Sequence, residues 1–180
     1  MKKIKKVKTK KMLSPQEIEK RKTEQKIKRK TRQFKSKIKY IFTMSGFRYI
    51  NSENHHMKIG LRDIEVDAIF IYENIILICE DTGSGLGHIK EHIRKKQEAF
   101  EQIQANKDTF LDKIKQEFEE IKEDVDKFQV GQYKMFYLYF SQEELNFCND
   151  DYNLFPLIKF VEPRSLEYLY KMSQCIRHSV

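Results

Sequence analysis

Cysteine is scarce in this 180-residue chain. Cys79, Cys148 and Cys175 are odd in number, far apart and without a CxxC or Cys/His ligand spacing, which argues against a disulfide framework and a structural zinc site. Long apolar runs are missing too: no stretch approaches the ~18 residues of a membrane span. The basic N-terminus is not followed by the apolar run of a secretory signal. The expectation is a soluble, cytoplasmic protein with no membrane partner. Acidic residues are almost missing from the first forty positions. Lys2–Lys39 holds 15 Lys and 3 Arg against only Glu17, Glu19 and Glu24, a local balance of +15. With a net charge of +8, this leaves −7 for Tyr40–Val180. An acidic body therefore carries a cationic arm, and any polyanion meets the arm first. A lysine-rich solubilising tail is the plain alternative. What is abundant is aromatic: 13 Phe and 9 Tyr within a 39% hydrophobic composition suffice for a core and exclude wholesale disorder.

Ser14-Pro15-Gln16-Glu17 reads as a helix start, with Ser at the N-cap, Pro at the first turn and Glu able to close a capping box. The helix is expected to run to about Met44. Its first half has only Ile18 and Ile27 as large apolar residues, whereas Phe34, Ile38, Ile41 and Phe42 form a docking stripe. The domain reading is an arm over 1–30 and one α/β domain over 31–180. Ser45-Gly46 stops the helix, and a short run Met57-Lys58-Ile59 and longer runs Ile64–Tyr72 and Ile75–Asp81 read as strands. Beyond Gly83–Gly87, an apolar stripe from Ile89 to Ile103 predicts a helix, and Phe110 to Val125 predicts a second one running to about Phe128. Tyr133–Phe140 and Leu157–Val161 read as strands, followed by a last helix capped by Ser165. No stop signal follows Ile176, so the chain reads as part of something longer.

Glu73-Asn74 as a two-residue loop pairs Tyr72 with Ile75, and every opposed pair of residue numbers then sums to 147. Asp67 falls opposite Glu80, and Glu65 opposite Thr82. Opposed residues share a sheet face with Cβ atoms roughly 4.5–5.5 Å apart. Such clustered acids repel unless a divalent cation, an arginine or a shared proton compensates. Both Asp67 and Glu80 end strands that are otherwise nearly continuous apolar runs, which favours the cation. Exposed strand-end acids are the alternative.

This order of elements, with Glu65-Val66-Asp67-Ala68-Ile69 and Cys79-Glu80-Asp81-Thr82, resembles the PD-(D/E)XK, or restriction-endonuclease-like, nucleases. The resemblance implies an α/β fold around a mixed central sheet (helix, three-strand meander, helix, strand) flanked by helices, with a long basic N-terminal helix added. It implies that Asp67 and Glu80 hold Mg²⁺ or Mn²⁺ with Glu65 assisting, that the metal activates a water for phosphodiester hydrolysis, and that the arm grips DNA through Lys26, Lys28, Arg29, Lys30, Arg32 and Lys35. Thr82 stands where the motif has its lysine, and a neutral hydroxyl cannot stabilise hydroxide or phosphoryl charge as an ammonium does. Lys90, one turn into the following helix, is the expected surrogate. Lys58 is the other candidate, and Arg94 lies one turn beyond Lys90. The alternative is a degenerate pseudo-nuclease that binds DNA or a partner protein without cutting.

Gly46-Phe47-Arg48-Tyr49-Ile50, Tyr72 to Thr82, Phe136 to Ser141 and Met172 to Ile176 are in turn similar to the N-terminal region of bacterial DGQHR-domain proteins, a group like the DndB-type proteins of DNA phosphorothioation and phage-defence loci. That similarity implies an N-terminal module of a longer protein with partners in a modification or defence system. The DGQHR pentapeptide itself is not in this chain. An RNA- or ribosome-associated role is permitted by the arm but disfavoured by the acidic body. His88 and His92 have metal-compatible spacing yet read as a surface pair. Gly83–Gly87 can touch a phosphate but lacks the P-loop ending. Tyr133, Phe136, Tyr137, Tyr139 and Phe140 read as core, and Cys79 as a small buried residue rather than a nucleophile.

Overall fold

The computed structural model describes residues 14–82, 88–126 and 133–178. Helix α1 (Pro15–Met44) starts at Ser14, whose Oγ accepts the Glu17 N–H while the Glu17 carboxylate accepts the Ser14 N–H at 2.7 Å, a closed capping box. Every side chain from Pro15 to Lys30 is exposed, and burial begins at Thr31. Helix formation there rests on propensity and the cap, and only the second half gains from packing. Gly46 turns the chain with φ +89°, at a point where a Cβ would stand 3.1 Å from the Tyr72 ring.

Strand β1 (Arg48–Asn51) follows, then β2 (His56–Ile59), β3 (Arg62–Glu65), β4 (Ala68–Tyr72) and β5 (Ile75–Thr82). Helices α2 (Ile89–Ala105) and α3 (Lys107–Glu117), a 3-10 turn at Glu119–Ile121 and the short α4 (Lys122–Asp126) lead to β6 (Lys134–Ser141). The short α5 (Asn149–Asn153), β7 (Ile158–Val161) and α6 (Pro163–His178) complete the order. The fold is α/β, with a five-stranded mixed sheet in the order β1-β4-β5-β6-β7. The first two neighbour pairs are antiparallel and the last two parallel.

The hairpin register is Tyr72↔Ile75 through Ala68↔Cys79, the pairing that sums to 147. Glu73 makes the turn with φ +48°. The expected strand Ile64–Tyr72 is split: Glu65 ends β3, Val66 is fully buried, and β4 begins at Ala68. Met57–Ile59 is not the first strand of the meander either. It pairs with Arg62–Glu65 in a separate two-stranded sheet, and β1, too short to be read from its four residues, takes the edge beside β4. The expected helix through Phe118 also breaks, because Phe118 turns extended (φ −130°) and so lets both Phe118 and Ile121 be buried.

Alternation along β5 sends Ile76, Ile78 and Glu80 to one face and Leu77, Cys79 and Asp81 to the other. The first face packs with Ile93, Phe100 and Ile103 of α2 and with Phe110 and Ile114 of α3. The second packs with Ile38 and Ile41 of α1 and Leu166 of α6. Both faces being covered explains why β4 and β5 are nearly continuous apolar runs. Tyr137, Tyr139 and Phe140 are core as expected, whereas Phe136 is 40% exposed. Among the described residues no helix is long and apolar enough to cross a membrane.

Candidate functional site

The acids converge where β4 begins and β5 ends. Asp67 immediately precedes β4 and is held by two bonds across the hairpin, one from its backbone and one to its side chain: its N–H donates to the Cys79 carbonyl at 3.1 Å, and its Oδ2 accepts the Asp81 N–H at 2.9 Å. Glu80 lies on the α2 face and is 2% exposed. Its Oε2 accepts from Lys96 Nζ at 2.7 Å, and Lys96 also donates to the Glu65 carbonyl at 3.1 Å. Oε1 of Glu80 is buried and receives no hydrogen bond. Burial pushes the Glu80 carboxyl well above the ordinary carboxylate range; the Lys96 ammonium opposes that, and the Asp67 carboxylate facing it adds to it.

On the α1 face, Lys35 Nζ sits among three carboxylates, at 3.0 Å from Glu53, 3.3 Å from Asp81 and 3.5 Å from Asp67. Burial pulls this ammonium down, but the bond to Glu53 and the charges of Asp81 and Asp67 outweigh it and hold its pKa above the lysine range. Asp81 is raised to about 6, chiefly by burial and then by the Asp67 charge, with Lys35 opposing. Asp67 is thus the one acid in contact with both halves of the cluster. With every group ionised, Glu53, Asp67, Glu80 and Asp81 against Lys35 and Lys96 leave two negative charges, which one divalent cation balances.

Asp81 should accordingly titrate near pH 6 in a carboxyl-carbon NMR titration, with Lys35→Met moving it higher. Its folded pKa lies above the ordinary 3.8, so the native state keeps a proton that the unfolded chain has shed. Its contribution to stability therefore falls as pH rises from about 4 through about 6 and is level beyond. A midpoint below pH 4.5 would refute this environment.

A second polar chain flanks Glu80. The Thr82 hydroxyl hydrogen-bonds the buried Tyr139 hydroxyl, which is 2.8 Å from His92 Nδ1. Burial, then the nearby Lys96 charge, lowers the His92 pKa and favours a neutral ring. His88 and His92 are both exposed, as the sequence reading has it, although the His92 ring also packs edge-on against Tyr139 at 5.8 Å.

The sequence-predicted residues divide as follows. Asp67, Glu80 and Thr82 are brought together. Glu65 contributes only its backbone carbonyl, because β3 turns its carboxylate toward the Asn54 N–H at 2.9 Å and pairs it with His56 instead of Thr82. Lys90 is exposed, bonds Asp151 at 2.6 Å and stands over the Phe147 ring. Lys58 is exposed on β2 opposite Asp63. Lys26, Lys28, Arg29, Lys30 and Arg32 are exposed along α1, but Lys35 points into the acids. Gly83–Gly87 lies outside the described residues. Four site residues escaped the sequence reading of the acid cluster: the acids Glu53 and Asp81, which meet Lys35, and the lysines Lys96 and Lys35 themselves. Lys96 had a signal, since it stands three residues after Ile93 and four before Phe100, on the flank of the buried stripe of α2. Lys35 had a weaker one, as the residue after Phe34 at the point where α1 becomes half-buried.

Mg²⁺ characteristically takes one or two carboxylates and completes its shell with water and phosphate oxygens. Asp67 and the unpartnered Glu80 Oε1 fit that donor set. Among the described residues no group of three or more His, Cys, Asp or Glu side chains is arranged to hold a metal ion, so the fit is to a cation that substrate helps to coordinate, not to an all-protein cage. Comparison of the chain with protein-family models, with curated proteins and with solved structures finds no match.

Proposed function

We propose that this chain is a restriction-endonuclease-like, DNA-binding domain that hydrolyses phosphodiesters with Mg²⁺ or Mn²⁺, working with protein partners in a bacterial DNA modification or defence context. The observation that carries the reading is Glu80 Oε1: a buried carboxylate oxygen without a donor, between Asp67 and Lys96, at the end of a central strand. The meander β1-β4-β5, helix α2 and the parallel β6 also follow the order that the family resemblance implies. A divalent cation bound there would supply Lewis-acid polarisation of a phosphoryl oxygen and a water acidic enough to attack. Asp67 would bind and orient it, held in place by its two bonds across the hairpin. Glu80 would offer its free oxygen, and the Lys96 ammonium would oppose the burial that favours the protonated carboxyl, with the cation's own charge favouring the ionised form further. Lys96 also supplies the positive charge that Thr82 lacks, arriving from α2 instead of from β5.

The test is isothermal titration of Mg²⁺ and Mn²⁺ into the wild type, Asp67→Ala and Asp67→Asn, followed by incubation of the same samples with supercoiled plasmid. The expected result is metal binding and nicking by wild type only, with cleavage at least about 100-fold slower in both variants, the loss of roughly 2.7 kcal/mol of barrier lowering. Equal cleavage by wild type and variants would sink the reading. The absence of both binding and cleavage would leave the second reading, a pseudo-nuclease that binds DNA or a partner. The specific observation in its favour is Thr82, whose hydroxyl is committed to Tyr139.

A further inference from the structure

Lys28, Arg32, Lys35 and Lys39 recur at intervals of four, three and four residues, which puts all four on one face of α1. At 1.5 Å per residue the stripe is about 16 Å long. It lines a cleft of about 390 Å³ between α1 and β1, closed on the far side by Tyr49 and Glu53. The cleft continues past Lys35 and Tyr49 into a narrow one of about 30 Å³ bordered by Asp67, Glu80 and Asp81.

The cations of this stripe are not equivalent. Lys35 is neutralised by three carboxylates. Lys28, Arg32 and Lys39 have no carboxylate within salt-bridge distance among the described residues, although the rest of the body is rich in acids. Lys39 Nζ is held instead over the Tyr49 ring, 4.2 Å from its centroid, which fixes the ammonium at the wall without neutralising its charge. The Thr31 and Ser36 hydroxyls also face the cleft and can donate to an anion. The groove is thus cationic at its mouth and anionic at its floor.

We propose that this groove seats the phosphodiester backbone of one nucleic-acid strand and leads it to the acids, an inference that takes its nucleic-acid target from the reading above. Phosphates along one strand advance about 3.4 Å each in a B-form helix, so 16 Å spans about five of them. Lys28, Arg32 and Lys39 would draw the strand in, and it would stop where Glu53, Asp67 and Asp81 repel it, setting a phosphate beside the carboxylates. Lys26 and Lys30 project from the opposite face of the same helix and Arg29 from its flank, all three away from the cleft lining, so most of the arm's charge would be attraction at a distance and not contact.

The test compares two substitutions of equal charge: Lys28→Gln/Arg32→Gln/Lys39→Gln in the groove and Lys26→Gln/Arg29→Gln/Lys30→Gln outside it. Anisotropy of a labelled 20-nucleotide single-stranded DNA is followed in EDTA over a KCl series, with far-UV circular dichroism to check that the fold is kept. The groove triple is expected to weaken binding at least tenfold and to flatten the log–log salt slope by about 2, since three contacts each contribute ~0.7 on a single strand. The triple outside the groove should cost less than threefold. Equal losses from the two triples would overturn the groove and leave diffuse attraction. Displacement of the DNA by poly-glutamate at equal charge concentration would also overturn it, in favour of an acidic protein partner. Because EDTA removes any need for metal or cleavage, failure here is separate from failure of the plasmid assay, and a groove effect in a chain that never cuts would belong to a binding module.

Discussion

Lys96→Met should lower the melting temperature by roughly 10 °C at pH 8 and by much less at pH 4.5. The variant keeps the length of the side chain and removes the ammonium paired with a carboxylate that is 2% exposed. Stripping one partner from a buried pair costs on the order of 3–5 kcal/mol. Lys96 is itself a fifth exposed, which puts the expectation at the lower end, about 3 kcal/mol. In a chain of this length each kcal/mol is worth about 2–4 °C. The pH dependence follows from proton counting. Burial already raises the folded pKa of Glu80 above the ordinary 4.5, and losing the ammonium raises it further. Above about pH 4.5 the native state must retain a proton that the unfolded chain releases, so stability falls as pH climbs toward the folded pKa, whereas below 4.5 both states are protonated and the penalty disappears. Thermal melts of wild type and variant at four pH values measure this directly. A deficit of the same size at every pH would mean that Lys96 acts by packing its methylenes, not by pairing Glu80.

Phe100→Ala should be destabilising on a similar scale, about 3–5 kcal/mol, for a different reason. Phe100 is fully buried, stacks on Tyr137 with centroids 4.7 Å apart, and shares its core with Ile93, Ile103 and Phe110. It stands one turn after Lys96 on the same helix, so its ring also fixes the depth at which α2 docks and hence the reach of Lys96 to Glu80. Urea titration should move the midpoint down strongly with little change in slope, because the surface exposed on unfolding is nearly the same. Phe100→Leu, which refills most of the space, should lose far less. A cost below 1 kcal/mol for Phe100→Ala would mean that the core collapses around the gap and that α2 is not anchored there.

Some of this architecture is legible in the residues because it is set locally. The capping box at Ser14 and Glu17 needs only a four-residue motif, and the hairpin register needs only a two-residue loop and counting, which is why the ladder from Tyr72 and Ile75 to Ala68 and Cys79 is legible, although the pairing stops one position short of Asp67 and Glu80. The β3–β4 break cannot. Ile64 to Tyr72 is an uninterrupted strand-like run, and what divides it is tertiary: Val66 enters the core while its carbonyl accepts the buried Ser52 hydroxyl at 2.9 Å. That divergence also removes Glu65 from the acid cluster. The two lysines beside the acids are harder still, because Lys35 is 32 positions from Asp67 and reaches it only through the way α1 crosses the strand ends. Lys90 was the natural choice by distance along the chain, and helix geometry overrules it, since six residues separate it from Lys96 and turn the two to different sides.

The unpacked outer half of α1 has a consequence for how ionic strength acts on this protein. Between Lys20 and Arg32 the helix holds a row of like charges and only one acid, Glu24, and every side chain as far as Lys30 is exposed, so little packing offsets their repulsion. Added salt screens that repulsion and tightens the helix, yet the same salt weakens its hold on any polyanion. Order and adhesion are thereby driven in opposite directions by one variable. A bound polyanion escapes the conflict, since it neutralises the row and straightens it at once, so the outer half of the helix should be most regular when it is occupied.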